Sequence, residues 1–304
     1  MKKIFIFYTP ILLALALVSC ETIIDPRLES AEPVLVVDAW LTAHSKAQII
    51  KLSQTQPYLE NATVPAVTGA LVLLKNESDG REFIFAEISG GNYRWQPVDS
   101  NDSLGAIGDN FTLSIDIGVD SYKATSKIGR VPKIDSVTFT FQEASGAFPS
   151  FYLGEFWAKD LKGKGDAYWI KAWRNDTLLL KPSEINIAFD AGFSEASPVD
   201  SVTFIPPIRS AITPFETDDD GKIIQPYEPG DSVYVEILSL NKSAFNFLYQ
   251  VSIQTDRPGG FGELFASPFA NVPTNITNTN PNGKKAVGFF NIGTVSGLGK
   301  KFVE

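Results

Sequence analysis

The chain has few of the residues on which most catalytic and metal sites depend. Its 304 residues include one cysteine, one histidine and one methionine. A single cysteine cannot form an intramolecular disulfide, and a single histidine cannot build a zinc-binding histidine cluster. The histidine, His44, falls in a predicted turn, and no Gly-x-Ser-x-Gly motif supports a serine hydrolase around it. We therefore expect a protein that is not an enzyme, with a hydrolase built on paired carboxylates as the remote alternative.

Nucleotide and nucleic-acid ligands are also disfavoured. No glycine-rich loop follows a predicted strand and opens a predicted helix, which is the arrangement that holds phosphates. The formal net charge of −9 at pH 7 argues against nucleic acid as a partner, because it would repel a phosphate backbone. The same charge argues against electrostatic attraction to anionic lipids. We expect no cofactor.

The N-terminal residues have the pattern of a secretory signal. Lys2 and Lys3 precede an apolar run over residues 4–18. This run is shorter than the ~20 residues that a membrane-spanning helix needs, and Pro10 interrupts it. A basic head, an apolar middle and small residues at the end are typical of a signal peptide.

A cysteine stands where such a signal peptide would be cleaved. The segment Leu17-Val18-Ser19-Cys20 is similar to the lipobox of a bacterial lipoprotein. This resemblance implies a signal peptide over residues 1–19, Cys20 as the lipidated first residue, and a polar tether over residues 20–32. The alternative is a buried thiol that happens to follow a signal.

The rest of the chain has the pattern of an all-β protein. Val, Ile, Phe and Thr are spread among 23 Gly and 19 Pro residues. About seven short strands over residues 33–130 predict a β-sandwich of the immunoglobulin or transthyretin-like kind. Pro132 marks a predicted boundary, because proline cannot donate a backbone hydrogen bond within a sheet. Residues 131–304 are then predicted to form a second β-rich domain.

The second domain is predicted to contain one helix. Asn241 can cap its first turn, and apolar residues recur after it at helical spacing, namely Ala244, Phe247, Leu248 and Val251. This predicts a helix over about residues 242–255 whose apolar face packs on the second sheet.

Further segments complete the prediction for this domain. Strands over residues 152–160 and 167–174 flank a glycine-containing turn and are predicted to pair as a hairpin. Residues 199–205 are predicted to form another strand. Residues 259–304 are predicted to be loop, apart from one strand over residues 286–292.

An acidic run resembles half of a calcium-binding loop. It reads Asp218-Asp219-Asp220-Gly221, with Asp218 and Asp220 as the candidate ligands. The glutamate that completes such a loop is missing at its expected place. The alternative is a charged hairpin tip, in which glycine after aspartate is ordinary turn chemistry.

Aromatic residues offer candidate binding surfaces. Phe261, Phe265 and Phe269 lie in a segment rich in glycine and proline. They can face a partner, or they can fold back onto a sheet, and both arrangements are common for loop phenylalanines. Trp169 and Trp173 on a predicted strand are candidate ligand contacts together with these residues.

An Asp-(Ser/Thr)-apolar pattern recurs five times, and its hydroxyl residues are Ser103, Ser136, Thr177, Ser201 and Ser232. It is similar to the periplasmic O-glycosylation motif of Bacteroidota. An Asx turn that enters a strand would place the same residues in the same order. Mass spectrometry that finds only unmodified peptides at all five positions would exclude glycosylation.

Several segments together resemble the domain of unknown function 4249 family. They are residues 36–41, 51–58, 67–72, 229–233, 275–276 and 288–290. The resemblance spans nearly the whole mature chain and rests on strand-and-turn patterns. It implies an outer-membrane lipoprotein of Bacteroidota, often encoded near TonB-dependent transporters, and it supplies no site residues.

Two functions are compatible with these patterns. The first is a lipid-anchored accessory lipoprotein of the outer membrane that docks on a TonB-dependent β-barrel transporter and helps it take up or retain a ligand. The second is a stand-alone surface binding module, such as an adhesin or a glycan binder. The face of the membrane stays open, because Glu21 and Asp25 resemble an acidic surface-export signal but would equally solubilise a tether.

Overall fold

The computed structural model describes residues 31–303, except 58, 59, 61, 147, 148, 198 and 219–221. The predicted signal peptide, Cys20 and nearly all of the predicted tether therefore lie outside the described residues. Pro33–Glu304 form one compact unit. No helix in the described part of the chain is long and apolar enough to cross a membrane.

Strands dominate the described structure. They are β1 (Leu35–Thr42), β2 (Gln48–Gln54), β3 (Leu71–Asn76), β4 (Glu82–Ser89), β5 (Asn92–Trp95), β6 (Asn110–Ile117), β7 (Asp120–Lys127), β8 (Ile134–Gln142), β9 (Phe151–Ala158), β10 (Ala167–Arg174), β11 (Thr177–Leu178), β12 (Asn186–Phe189), β13 (Glu216–Thr217), β14 (Ile223–Ile224), β15 (Ser232–Leu240), β16 (Thr277–Asn278), β17 (Ala286–Gly293) and β18 (Val295–Lys301). The helices are α1 (Pro206–Ser210), α2 (Lys242–Thr255) and the 3₁₀ turns Pro182–Glu184 and Gly260–Phe265. The prediction of an all-β protein with few helices is confirmed.

The first sheet has nine strands and is curled so that its two edges approach each other. Its order is β16-β7-β6-β3-β4-β5-β2-β1-β17. The sheet bends at β4, which pairs with β3 as far as Phe85 and with β5 from Ala86 onward. At the open side, the backbone N–H of Ile292 on β17 donates to Ser126 Oγ on β7 at 3.2 Å. Every second side chain points inward and fills one core, so the predicted sandwich takes the form of one sheet folded over itself.

The second sheet has the order β11-β10-β15-β18, and β12 pairs with β10 beside β11. The β8–β9 hairpin and helix α1 contribute side chains to the core that this sheet covers. The predicted pairing of β9 with β10 is wrong, because β9 pairs with β8 and β10 pairs with β15. Phe156 on β9 and Tyr168 on β10 are both buried in this core, so the glycine-containing turn between the two strands joins elements of different sheets.

Residues 199–205 form no strand, so that prediction is also wrong. Within these described residues, one isolated bridge pairs Thr203 with Lys159. Helix α1 begins directly afterwards at Pro206, whose fixed backbone angle suits the first helical position.

Helix α2 confirms the predicted helix at residues 242–255. The side chain of Asn241 accepts a hydrogen bond from the backbone N–H of Ala244 at 2.8 Å, which caps the first turn. Ala244, Phe245 and Leu248 are buried and pack with residues of the second sheet and β17. The amphipathic spacing in the sequence thus corresponds to a real packing face.

Strands β17 and β18 connect the two sheets. β17 pairs in parallel with β1, and β18 pairs antiparallel with β15. Only Thr294 separates them, and its backbone N–H donates to Ser239 Oγ on β15 at 2.9 Å. The prediction of loop after residue 292 is wrong here, since the glycines of β18 weaken its strand pattern. The predicted division after residue 130 assigns β16 and β17 to the second domain, although both strands belong to the first sheet.

Candidate functional site

A groove opens between β1 and β17 of the first sheet, the second sheet and helix α2. Its volume is about 450 Å³, which is in the range of small-molecule sites. We call it the aromatic groove because four rings line it, those of Trp40, Trp169, Phe247 and Phe289. Most of its other walls are aliphatic, from Val36, Leu180, Pro182, Ile185, Leu248 and Val251.

The alternation of the strands places these side chains. The odd-numbered residues of β1 from Leu35 to Leu41 are buried in the first core. The even-numbered residues Asp38 and Trp40 therefore point to the opposite face and line the groove. On β10 the same alternation turns Trp169 away from the second core. The groove is thus built from the outward faces of two strands whose inward faces stabilise separate cores.

The rings of the groove pack against one another, with Phe289 buried and Trp40, Trp169 and Phe247 half-buried. Trp40 meets Trp169 edge-to-face at a centroid distance of 5.1 Å and stacks on Phe289 at 5.8 Å. Phe247 from helix α2 lies 4.8 Å from Phe289. These geometries are the preferred ones for aromatic pairs, so the surface is preformed and can receive a flat apolar group.

Asp38 is the one charged side chain among the residues that line the groove. In the described part of the chain its carboxylate takes part in no hydrogen bond or close ion pair. The side chain remains exposed at the mouth of the groove. The surrounding groups nevertheless remove part of its hydration and raise its pKa above the ordinary value, while Lys51, its cross-strand neighbour on β2, acts in the opposite direction. A carboxylate that forms no close ion pair and lies beside apolar walls favours a ligand that carries a positive charge.

A second aromatic surface lies further along the same face of the second sheet. Trp173 on β10 and Tyr234 on β15 have centroids 5.4 Å apart, and we call this pair the outer platform. The Tyr234 ring lies over Gly297 of β18, which has no side chain. A Cβ added to Gly297 would be 2.0 Å from the Tyr234 hydroxyl oxygen. A depression of about 250 Å³ adjoins the pair, and its walls include Asp176, Ser232, Lys300 and Lys301.

Lys171 separates the groove from the outer platform. Its ammonium lies 5.0 Å from the Trp169 ring centroid and 6.0 Å from that of Trp173. It also forms an ion pair with Glu236 at 3.0 Å. The sequence-predicted candidates Trp169 and Trp173 therefore share one face of β10, with a cation held between them.

The other predicted aromatic candidates lie elsewhere. Phe261, Phe265 and Phe269 are exposed in and after the 3₁₀ turn Gly260–Phe265. Of the two arrangements left open from the sequence, the structure has the outward-facing one. None of the three lines the aromatic groove.

Of the calcium candidate, the structure describes Asp218, which directly follows β13. Asp218 Oδ1 accepts a hydrogen bond from the backbone N–H of Lys222 at 2.8 Å. Asp220 lies outside the described residues, so the pair stays a prediction.

His44 is exposed in the bend after β1, and its Nε2 lies 3.2 Å from the carbonyl oxygen of Val295.

The five predicted glycosylation positions differ in exposure. Thr177 and Ser232 are exposed, whereas Ser103, Ser136 and Ser201 are half-buried. The aspartate before Ser232 is held by another side chain, because Asp231 accepts a hydrogen bond from Arg174 Nε at 2.9 Å. Modification at all five positions stays a prediction.

Three carboxylates that the sequence patterns missed lie close together near the β9–β10 connection. They are Asp160, Asp166 and Asp190, with ligand atoms within 4.8 Å of one another. Protein donors serve each of them: Tyr168 Oη donates to Asp160 at 2.7 Å, Arg130 Nη2 to Asp166 at 2.7 Å, and the Gly165 N–H to Asp190 at 2.8 Å. Burial raises the pKa of Asp160. We assign this cluster a structural role in holding the connection.

The groove itself was only partly visible in the sequence. Asp38 interrupts the apolar run of β1, and that charge between valine and alanine was the available signal. Phe247 belongs to the apolar residues at helical spacing, and that pattern indicated only a helix face packed on a sheet. Phe289 falls in the predicted strand over residues 286–292, which indicated no neighbour for it. Its position beside β1 follows from the parallel register that pairs it with Asp38.

A family model described as Domain of unknown function (DUF4249) matches residues 21–297. The chain belongs to this family. The match includes every residue named above as lining the aromatic groove, and it confirms the resemblance noted from the strand-and-turn segments. No curated protein matches this DUF4249 chain. The description of the family assigns it no activity, so the groove has to be interpreted from its own chemistry.

Proposed function

We propose that this DUF4249 protein is a non-catalytic binding lipoprotein, held on the outer membrane by a lipid on Cys20 and associated with a TonB-dependent transporter. The observation that carries the binding role is the aromatic groove, which offers a preformed apolar surface of ligand size. Its lining supplies one carboxylate and one hydroxyl, from Asp38 and Thr255, and lacks the paired groups that acid–base or nucleophilic catalysis uses. The lipobox pattern and the family resemblance support the anchor and the transporter.

The chemistry of the groove favours ligands that combine an apolar or aromatic body with a cationic head. The body would lie against Trp40 and Trp169, and the head would reach Asp38 at the mouth. A charge-assisted hydrogen bond to a carboxylate is about twice as strong as a neutral one, so the head would decide specificity. A primary amine attached to a ring meets both requirements.

We expect the groove to distinguish an amine from its neutral analogue. 2-Phenylethylamine should quench or shift the tryptophan fluorescence at concentrations roughly tenfold lower than 2-phenylethanol, because only the amine pairs with Asp38. Asp38→Asn should remove this preference without abolishing alcohol binding. The preference should also fade on acidification through the pKa of Asp38, which is raised above 3.8, since the protonated carboxyl carries no charge. Asp116→Asn, which removes an exposed carboxylate elsewhere on the first sheet, is the matched control.

Equal affinity for the amine and the alcohol in the unmodified protein would contradict the assigned role of Asp38. Loss of the preference in the Asp116→Asn variant would show that net charge, and not the groove, controls the binding. Replacing Trp169 by alanine should weaken both probes together, because it removes the surface that they share.

The anchor and the transporter are tested in one experiment with two readouts. We expect the wild-type protein to fractionate with the outer membrane and the Cys20→Ala variant to lose lipid attachment and membrane retention. Gentle detergent extraction and affinity purification of the wild type should recover a TonB-dependent transporter. Recovery of the lipidated protein alone would leave the anchor standing and would contradict the transporter. Protease treatment of intact cells then distinguishes the outer from the periplasmic face.

The outer platform supports a second candidate function, the binding of glycans. Exposed aromatic faces beside hydrogen-bonding side chains suit a sugar ring, which has an apolar face and polar edges. Trp173→Ala or Tyr234→Ala should abolish binding on a glycan array. Tyr249→Ala is the control, because Tyr249 on helix α2 is 47% exposed and Tyr234 is 40% exposed. An array without signal for the unmodified protein would remove this candidate.

A further inference from the structure

The segment after helix α2 has an inverted distribution of polar and apolar side chains. In residues 257–269, which we call the inverted loop, four large apolar side chains are 70–80% exposed, those of Phe261, Leu264, Phe265 and Phe269. The Arg257 side chain in the same segment is only 14% exposed. Clustered exposed apolar groups of this kind mark an interaction surface.

Hydrogen bonds and ring contacts hold the inverted loop in this form. Arg257 forms an ion pair with Glu263, and its Nη1 donates to the carbonyl oxygen of Ser267 at 2.8 Å. The Arg257 guanidinium also lies 4.0 Å from the ring centroid of Phe269. The half-buried cation thus organises the loop from inside and leaves the apolar groups outside, so the surface exists before any partner arrives.

The inverted loop lies near the end of the body at which β1 begins. Helix α2 starts beside the far end of β17, where the Asn241 N–H donates to Asn291 Oδ1 at 3.4 Å. It ends at Thr255, which lines the aromatic groove together with Val36 near the start of β1. Helix α2 therefore runs opposite to β1, and the inverted loop follows it close to Pro33, where the tether joins the body.

We propose that the inverted loop inserts into the boundary between headgroups and acyl chains of the membrane that holds the lipid on Cys20. This rests on the proposed lipid anchor. The residues from Cys20 to Pro33 can span at most about 45 Å when fully extended, so the anchor holds this end of the body within that distance of the bilayer. One apolar anchor and one apolar loop together give a more durable and oriented attachment than either alone.

The charges of the protein favour a lipid surface that is recognised through its apolar layer. The chain has a net charge of −9, and the cation within the inverted loop is already paired with Glu263. The inverted loop therefore offers anionic headgroups no cation that is not already paired. Insertion should depend weakly on salt and should occur in zwitterionic membranes.

The experiment uses the lipidated full protein in phosphatidylcholine vesicles that contain brominated acyl chains. Because Cys20 is the only cysteine and is lipidated in this proposal, Leu264→Cys introduces a single free thiol for an environment-sensitive fluorophore. We expect a blue shift and at least twofold quenching by the brominated chains. Val119→Cys is the matched control, because Val119 is 99% exposed in the turn between β6 and β7, and its label should report water.

Each other outcome overturns a defined part of the proposal. An unquenched label at position 264 would exclude insertion while leaving the lipid anchor intact. A blue shift that requires an added transporter and occurs without quenching would assign the inverted loop to a protein partner. Labelling of the protein without an introduced cysteine would show that Cys20 carries no lipid and would overturn the anchor itself. As a second measurement, Phe261→Ala with Phe265→Ala should lower vesicle partitioning of residues 21–304 at least tenfold without changing the circular dichroism spectrum.

Discussion

A chain that ends at residue 130 is expected not to fold, although it contains seven of the nine strands of the first sheet. The missing strand β17 pairs with β1 along all eight of its residues, from Leu35↔Ala286 to Thr42↔Gly293. It also contributes Phe290 and Ile292 to the first core, both 0% exposed. Losing two such side chains costs about 5–10 kcal/mol, which is comparable to the whole stability of a typical domain. The fragment would also expose β1 as an unpaired edge.

This expectation is checked by circular dichroism and urea unfolding of residues 33–130. We expect no cooperative transition for the fragment and recovery of structure when residues 131–304 are co-expressed. A chain that ends at Phe302 is the control, because it removes only the exposed Val303 and the terminal residue. A cooperative transition in the isolated fragment would instead support the division after residue 130 and would show that β17 is dispensable.

Gly288→Ala is expected to destabilise the protein by about 3–5 kcal/mol. Gly288 has a φ of +90°, and an added Cβ would lie 2.0 Å from the carbonyl oxygen of Val37. Val37 is the register partner of Gly288 on β1, so the contact is relieved only if the two strands move apart. Because Gly288 also lines the aromatic groove, the shift should weaken binding of both groove probes.

A second glycine with a positive φ separates the effect of the backbone angle on stability from the effect of the steric contact. Gly80 has a φ of +79°, and a Cβ added there meets no atom within 4 Å. Gly80→Ala should therefore cost only about 1 kcal/mol, from the unfavourable backbone angle alone. Urea unfolding midpoints measure both variants. Similar small losses at the two positions would show that β1 and β17 accommodate the methyl group.

The local elements followed well from the sequence because short-range interactions specify them. The pattern of about seven short strands over residues 33–130 predicted β1 to β7, and the cap at Asn241 with apolar residues at helical spacing predicted α2 to within a residue. The prediction failed where local pattern and pairing diverge. β9 and β10 both alternate and flank a turn, yet each pairs with another strand, and the two glycines of β18 concealed a strand held by its neighbour β15.

The sequence by itself determined the class of the protein: an all-β chain with one substantial helix, a lipobox pattern ending at its single cysteine, and a single histidine. Only the tertiary structure decided where binding could occur. Asp38 and Phe289 become neighbours through a parallel pairing between strands more than 200 residues apart, and local periodicity contains no information on such register. The inverted loop was likewise recognised only in the structure, where Arg257 pairs with Glu263 while Phe261, Phe265 and Phe269 stay exposed.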